Sequence, residues 1–188
     1  GAILSHDLLE GLLAGCAYAG DITLYEGYPD TIPGLLTRQH RWTRGDWQLL
    51  PYLISFLPKH IRPERNALRT PEKRRIWRLL GLSLLKPLQW ITLLLCVVFR
   101  EPWLLIACLL SADFSLFANG WHGLLRFVVR LGILPAEAMN HADAIARTLY
   151  RLLFSRQKLL EWTTAAEASR TRPQQDMRFF YMNMAAGG

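Results

Sequence analysis

Two short stretches of this chain carry residue types that could do chemistry. The first is Arg38-Gln39-His40-Arg41-Trp42, continued by Thr43-Arg44-Gly45-Asp46-Trp47. On a helix, Arg38, Arg41 and Trp42 lie three and four residues apart and share a face. Two guanidiniums placed so can grip a diphosphate through bidentate hydrogen bonds, and the neighbouring indole offers a flat apolar platform to a sugar ring. Gly45 inside such a helix costs about 1 kcal/mol relative to Ala, which fits a close approach by a ligand or another backbone. An isolated R-x-x-R-W also reads as a solvated basic face with buried tryptophans. The second stretch is Ser5-His6-Asp7-Leu8-Leu9-Glu10-Gly11. An Asp at a strand-to-helix entry stands where α/β sheets place catalytic groups. With Glu10 three residues on, Asp7 is equally a helix cap, and from residue types alone that is its commoner use.

The elements that must position these residues follow from pattern. Residues 1–20 read as a helix capped at Asp7. The alternation of Asp21-Ile22-Thr23-Leu24-Tyr25-Glu26 predicts a short strand ending at Gly27-Tyr28-Pro29, with a Pro/Gly loop over 30–35. Thr37 to Phe56 reads as helix interrupted by Gly45 and Pro51. Lys59 to Arg78 holds eight Lys/Arg against two Glu, the composition of a helix lying on anionic headgroups. Leu79 to Phe99 is almost wholly apolar apart from Lys86-Pro87 and Gln89. Arg100-Glu101-Pro102 breaks it, and Trp103 to Phe117 is a second apolar run containing Asp113. Beyond Pro135 a helix is expected from Ala136 through Arg156, then a polar tail from Ser169.

Twenty-one helical residues span about 31 Å, the thickness of a hydrocarbon core of about 30 Å. With basic residues at both outer ends, the positive-inside rule puts those ends in the cytoplasm and the turn outside, which gives a transmembrane hairpin. Against this stand two features: the unbroken run from Leu88 to Phe99 is short, and Lys86 in mid-membrane costs about 2.5–3.5 kcal/mol. A pairing of Lys86 with Asp113 across the hairpin would answer the second. A buried pair of core helices in a soluble protein is the alternative.

The bulk numbers agree with a membrane setting. The chain has 188 residues, a formal net charge of +7, a pI near 9.7 and 51% hydrophobic residues. Basic residues adjoining apolar runs favour an anionic membrane surface over nucleic acid, and nucleic-acid binding is not expected. Cys16, Cys96 and Cys108 lack metal-ligand spacing and read as small buried hydrophobes. No dinucleotide, phosphate-loop, zincin or nucleophile-elbow motif occurs, and no D-x-D. The chain opens in an apolar run without an initiator Met, as a piece of something longer would.

Taken together, the stretches resemble a known family. Arg38-Gln39-His40-Arg41-Trp42 resembles the [Q/R]-x-x-R-W motif of processive inverting glycosyltransferases of the cellulose synthase type, and Asp7 falls where those enzymes carry the Asp of T-E-D. Four blocks in order are similar to the cyclic β-1,2-glucan synthases: Leu4 to Gly11, Tyr25 to Pro29, Arg41 to Gln48, and Leu152 to Arg156 with Leu159 to Ala166. The resemblance covers residues 1–168. It implies an α/β fragment, mostly α: the C-terminal half of a glycosyltransferase-A-type catalytic domain (1–58), a basic interfacial region (59–78), a transmembrane hairpin (79–118), cytoplasmic-side helices (119–168) and a polar tail (169–188). It implies transfer from UDP-glucose to a growing β-1,2-glucan at the bacterial inner membrane, with the active side cytoplasmic. Asp7 would be the catalytic base. Arg38, Gln39 and Arg41 would hold the diphosphate leaving group, and Trp42 would stack on the acceptor glucose. A divalent metal, Mg or Mn, is expected on the donor, with its ligands outside this chain. The expected partners are then membrane lipids and the remaining domains of the parent synthase, and the fragment alone is expected to be inactive. The departures are Arg38 at the first motif position and His6 in place of the T-E-D glutamate. A synthase of another linkage and a non-catalytic membrane-surface module are the other readings.

Overall fold

Proline, glycine and one threonine decide where the helices begin and end. The computed structural model describes residues 7–17, 19–23, 25, 27, 29, 31–58, 61–63, 66–104, 106 and 120–155. Helix α1 (Asp7–Ala14) carries Asp7 and Glu10 in its first turn, where the helix dipole favours carboxylates. It stops at Gly15, whose φ of 84° is the left-handed conformation of a helix C-cap. Helix α2 (Ile32–Trp47) starts five residues before the expected boundary. The Thr31 hydroxyl caps it by accepting from Gly34 N–H at 3.2 Å. Pro33 belongs to the first turn, where its missing N–H has no intrahelical acceptor to lose. A Cβ on Gly34 would sit 3.0 Å from the Thr31 hydroxyl, so the cap needs glycine there.

Helix α3 (Leu50–Leu53) is one turn, restarted after Gln48 and Leu49 with the buried Pro51 in its first positions. Described residues between 61 and 69 are not helical. Helix α4 (Thr70–Val98) begins with Pro71 in its first turn and with the Glu72 carboxylate accepting from the Arg69 N–H. The basic residues from Lys73 to Arg78 and the apolar run that follows are therefore one continuous helix. Helix α5 (Gly120–Tyr150) runs straight through Pro135, which the sequence reading took as a boundary. A proline inside a helix removes one hydrogen bond, but α5 is packed along this level by α2 and α4. A π-helical turn (Arg151–Ser155) follows.

The α/β expectation is corrected to a mostly helical fold: among the described residues there is no strand. Of the stretch 21–26, residues 21, 22, 23 and 25 are described, as turn and irregular chain. Ile22 and Tyr25 are exposed, and an alternating segment with no neighbouring strand has no ladder to satisfy its backbone. Cys96 is buried as expected, whereas Cys16 is exposed. Cys108, Asp113, most of the second apolar run and the tail from 169 lie outside the described residues.

Helix α5 runs antiparallel to α4. Glu137 meets Lys86 at 3.0 Å, and Leu149 packs on the cluster that holds Ile76 and Leu80. That cluster also contains Leu9, Leu49, Leu50 and Leu68, so it gathers α1, the end of α2, α3 and the start of α4 around one apolar centre. One side of α4 is bare. Trp77, Leu85, Leu88, Ile91, Leu95 and Val98 are all about half exposed or more, and their spacing puts them on one helical stripe. Thr92 on the same stripe donates its hydroxyl to Leu88 O at 2.8 Å, which satisfies it within the helix. Helix α4 is long and apolar enough to cross a membrane, and only 17% of its most apolar 18-residue stretch is buried.

Lys86 stands on the opposite side of α4 from this stripe, nine residues or half a turn of phase from Trp77. Among the described residues it pairs with Glu137; the pairing with Asp113 expected from the sequence lies outside the described residues. A double-mutant cycle with Lys86→Met and Glu137→Gln is expected to give a coupling of about 0.5–3 kcal/mol in denaturant unfolding, and zero coupling would dismiss the pair as a structural contact.

Candidate functional site

Helix α2 has two unlike faces. Leu36, Gln39, His40, Thr43 and Trp47 follow the i, i+3, i+4, i+7, i+11 spacing of one stripe, and every one of them meets α5 or α4. Glu137, Asn140, His141, Ala144 and Thr148 of α5 repeat that spacing. Where the two stripes meet, four contacts are polar. Asn140, fully buried, donates to Leu36 O at 2.9 Å. The Gln39 amide donates to Glu137 Oε1 at 3.4 Å, and Glu137 Oε2 holds Lys86. His40 Nε2 lies 2.8 Å from Asp143 Oδ2. Thr43 Oγ1 lies 2.8 Å from His141 Nδ1. Trp47 donates its indole N–H to Ser83 Oγ of α4 at 2.9 Å, and Ser83 donates on to Leu80 O at 2.7 Å.

The other face of α2 carries Arg38, Arg41, Trp42 and Gly45, centred half a turn away. Trp42 is 54% exposed. The Arg38 guanidinium stacks over its ring, 4.3 Å from the centroid. Such a stack is worth about 0.5–1 kcal/mol at an exposed site, and it orients the arginine while the indole stays about half exposed. Of the sequence-derived candidates, then, the fold brings Arg38, Arg41 and Trp42 together. Gln39 is on the opposite face, turned into the helix interface. Asp7 is exposed at the start of α1, and α1 packs through Leu9 on Leu49 and Leu50, near the C-terminal end of α2. Ser5 and His6 lie outside the described residues.

Two groups at the interface are displaced from their ordinary ionisation. Burial lowers the pKa of His141, helped by Lys86 and His40, while Glu137 and Asp46 pull the other way. A buried imidazole avoids its charged form, so the ring is held neutral against the Thr43 hydroxyl. For Asp143, burial alone would raise the pKa. The hydrogen bonds from His40 and Arg147 reverse that and hold the carboxyl below its ordinary range. Arg147 donates to Asp143 Oδ1 at 2.7 Å from one turn further along α5. The carboxylate is therefore oriented by its own helix before it meets His40.

Sequence reading missed these α5 residues. Their signal was present as Glu137, Asn140, His141, Ala144 and Thr148 at strict helical spacing within a mainly apolar segment. Among the described residues no group of three or more His, Cys, Asp or Glu side chains is placed to hold a metal ion.

No family model matches the chain, and no solved structure matches it. Among curated proteins, the cyclic beta-(1,2)-glucan synthase NdvB of Rhizobium meliloti (strain 1021) is 34% identical over 195 residues, covering 88% of this chain. The chain is related to that synthase, and it spans 7% of the synthase's length.

The lowered pKa of His141 fixes the sign of a pH effect. As pH falls through the ordinary value of 6.5, the unfolded chain takes up the proton before the folded one, so stability is complete above that value and drains away below it. Thermal unfolding is expected to show a lower midpoint at pH 5.5 than at pH 8, with the difference reduced in His141→Gln. An undiminished pH difference in the variant would show that another group causes it.

Proposed function

We propose that this chain, as a relative of a cyclic β-1,2-glucan synthase, forms part of a membrane-bound inverting glucosyltransferase that extends glucan from UDP-glucose. The observation that carries the reading is the face of α2: two arginines and a half-exposed tryptophan in the R-x-x-R-W order, beside a long helix with a bare apolar stripe. In this reading Arg38 and Arg41 receive the diphosphate. Negative charge builds on the leaving group as the glycosidic bond forms, and fixed guanidiniums that meet it lower the barrier. Arg38 is pre-set by its stack on Trp42, so little ordering remains to be done when the donor arrives. The exposed part of Trp42 takes the acceptor sugar, whose apolar C–H side suits an aromatic platform.

Asp7 serves as the base. Its carboxylate accepts the proton of the acceptor hydroxyl as that oxygen attacks the anomeric carbon from the side opposite the diphosphate. The UDP leaves with the bonding electron pair, and the configuration at carbon inverts. Donor metal ligands belong to other parts of the synthase in this reading. The apolar stripe of α4 lies in the bilayer, and the basic residues at its start, Lys73, Arg74, Arg75 and Arg78, meet anionic headgroups at the cytoplasmic surface of the inner membrane.

Glucose incorporation from radiolabelled UDP-glucose into glucan, measured on membranes carrying the full-length protein, tests the assignment. Asp7→Asn is expected to abolish transfer while leaving the protein in the membrane. Arg41→Ala is expected to lower the rate by about 100- to 1,000-fold, the loss seen when one charge-stabilising donor is removed, and Arg41→Lys restores little of it because a single ammonium cannot bind bidentately. Normal turnover in Asp7→Asn would remove the base. If both variants were fully active while neutralising Arg74, Arg75 and Arg78 released the protein from membranes, a membrane-surface module would be the better description.

A further inference from the structure

We propose that the polar stripe of α5 is a positioning element for the Arg38–Trp42 face, with the Asp143–His40 contact as its keystone and Glu137 as its link to α4. The proposal rests on the reading of α2 as the diphosphate-binding helix.

Three observations lead to it. The first is chemical. Two packed helices are held together most cheaply by apolar side chains, and replacing buried polar pairs by them is often neutral or stabilising. Between α2 and α5 the side chains are instead polar at four successive points, from Asn140 on Leu36 O to His141 on Thr43. Two buried acceptors, Asn140 Oδ1 and Gln39 Oε1, have no hydrogen-bond partner among the described residues, which stability alone would not favour. A polar seam does something that an apolar one does not. Each donor has a single acceptor, so turning α2 by one residue, 100°, breaks every contact.

The second observation is where the seam acts. Gln39 and His40 are the two residues between Arg38 and Arg41. Whatever angle those two take inward sets the angle at which the arginines and Trp42 face outward, because all five share one rigid stretch of helix. The third is that the seam is braced from behind. Arg147 holds Asp143, and the Glu137 carboxylate takes Gln39 on one oxygen and Lys86 of α4 on the other. The motif face is thus referenced to the helix that carries the apolar stripe, and it does not depend on loop contacts.

A positioning residue and a merely structural one differ in what they change. Asp143→Leu fills the space with an apolar side chain and removes the acceptor. It is expected to lower the midpoint of thermal unfolding, since Arg147 and His40 lose their acceptor, while leaving the protein folded at the assay temperature and lowering kcat for glucose transfer by about 10- to 100-fold, the scale of a small misplacement at a reacting centre. The KM for UDP-glucose is expected to change by less than about threefold, since both arginines remain. Asp143→Asn, which keeps an acceptor for His40, is expected to recover most of kcat. If Asp143→Leu transfers glucose at the parent rate while Arg41→Ala does not, the positioning role is overturned and the functional reading stands. If neither variant is impaired, that reading falls with it. Should Asp143→Leu not accumulate, His40→Leu removes the same contact from the other side, with the same kcat loss expected at unchanged KM; a parent-like kcat there overturns the proposal too.

Discussion

The Glu137 carboxylate is the contact on which the arrangement of the three main helices turns. It sits on α5, one oxygen toward Lys86 of α4 and the other toward Gln39 of α2. A carboxylate this enclosed, with its side chain 16% exposed, costs several kcal/mol to desolvate unless it is paired. The ammonium of Lys86 supplies the pairing, and the Gln39 amide uses the acceptor capacity that Lys86 leaves over. Remove Glu137 and Lys86 becomes the uncompensated charge in turn. The two charges therefore fix the register of α4 against α5, and through Gln39 the register of α2 against both. The apolar cluster around Leu49, Ile76 and Leu80 supplies burial but no comparable selectivity, because leucines accept many neighbours.

Much of this was legible in the residues, and the divisions have physical reasons. The helix content, the apolar helix α4 and the shared face of Arg38, Arg41 and Trp42 all come from short-range periodicity, which sequence states directly. Helix ends were read less well. Pro33 and Pro135 were taken as breaks, yet a proline is at home in a first turn, and within α5 it costs one hydrogen bond while packing from two neighbours keeps the helix going. The strand expected at 21–26 failed for the opposite reason. Alternation announces a half-buried strand only where a sheet exists to receive it, and Ile22 and Tyr25 find none. The contact of Lys86 with Glu137 was out of reach because it joins residues some fifty positions apart, which short-range pattern does not report. The helix lying against α4 at that level comes from further along the chain.

Gln39 marks the limit of motif reading. By resemblance it belongs with Arg38 and Arg41 as a ligand to the diphosphate. By helical phase it cannot share their face, since one residue along a helix is a rotation of 100°. The fold follows phase. A five-letter pattern thus holds two kinds of residue: Arg38, Arg41 and Trp42, turned outward, and Gln39 and His40, which hold the helix from inside. A pattern written without its helical phase merges them.

The two objections to a membrane setting dissolve on the same geometry. Counted along the sequence, the unbroken apolar run from Leu88 to Phe99 is too short for a bilayer. Counted along one side of α4, the apolar stripe runs from Trp77 to Val98, about 32 Å at 1.5 Å per residue, against a hydrocarbon core of about 30 Å. The interruptions that shorten the linear run, Ser83, Lys86 and Gln89, fall away from the stripe's centre, and the first two of them are held by Trp47 and Glu137. A charge at that depth is tolerable when it faces protein and is paired. Lys86 is therefore no argument against lipid on the far side of its helix; its position shows which side of α4 the protein occupies.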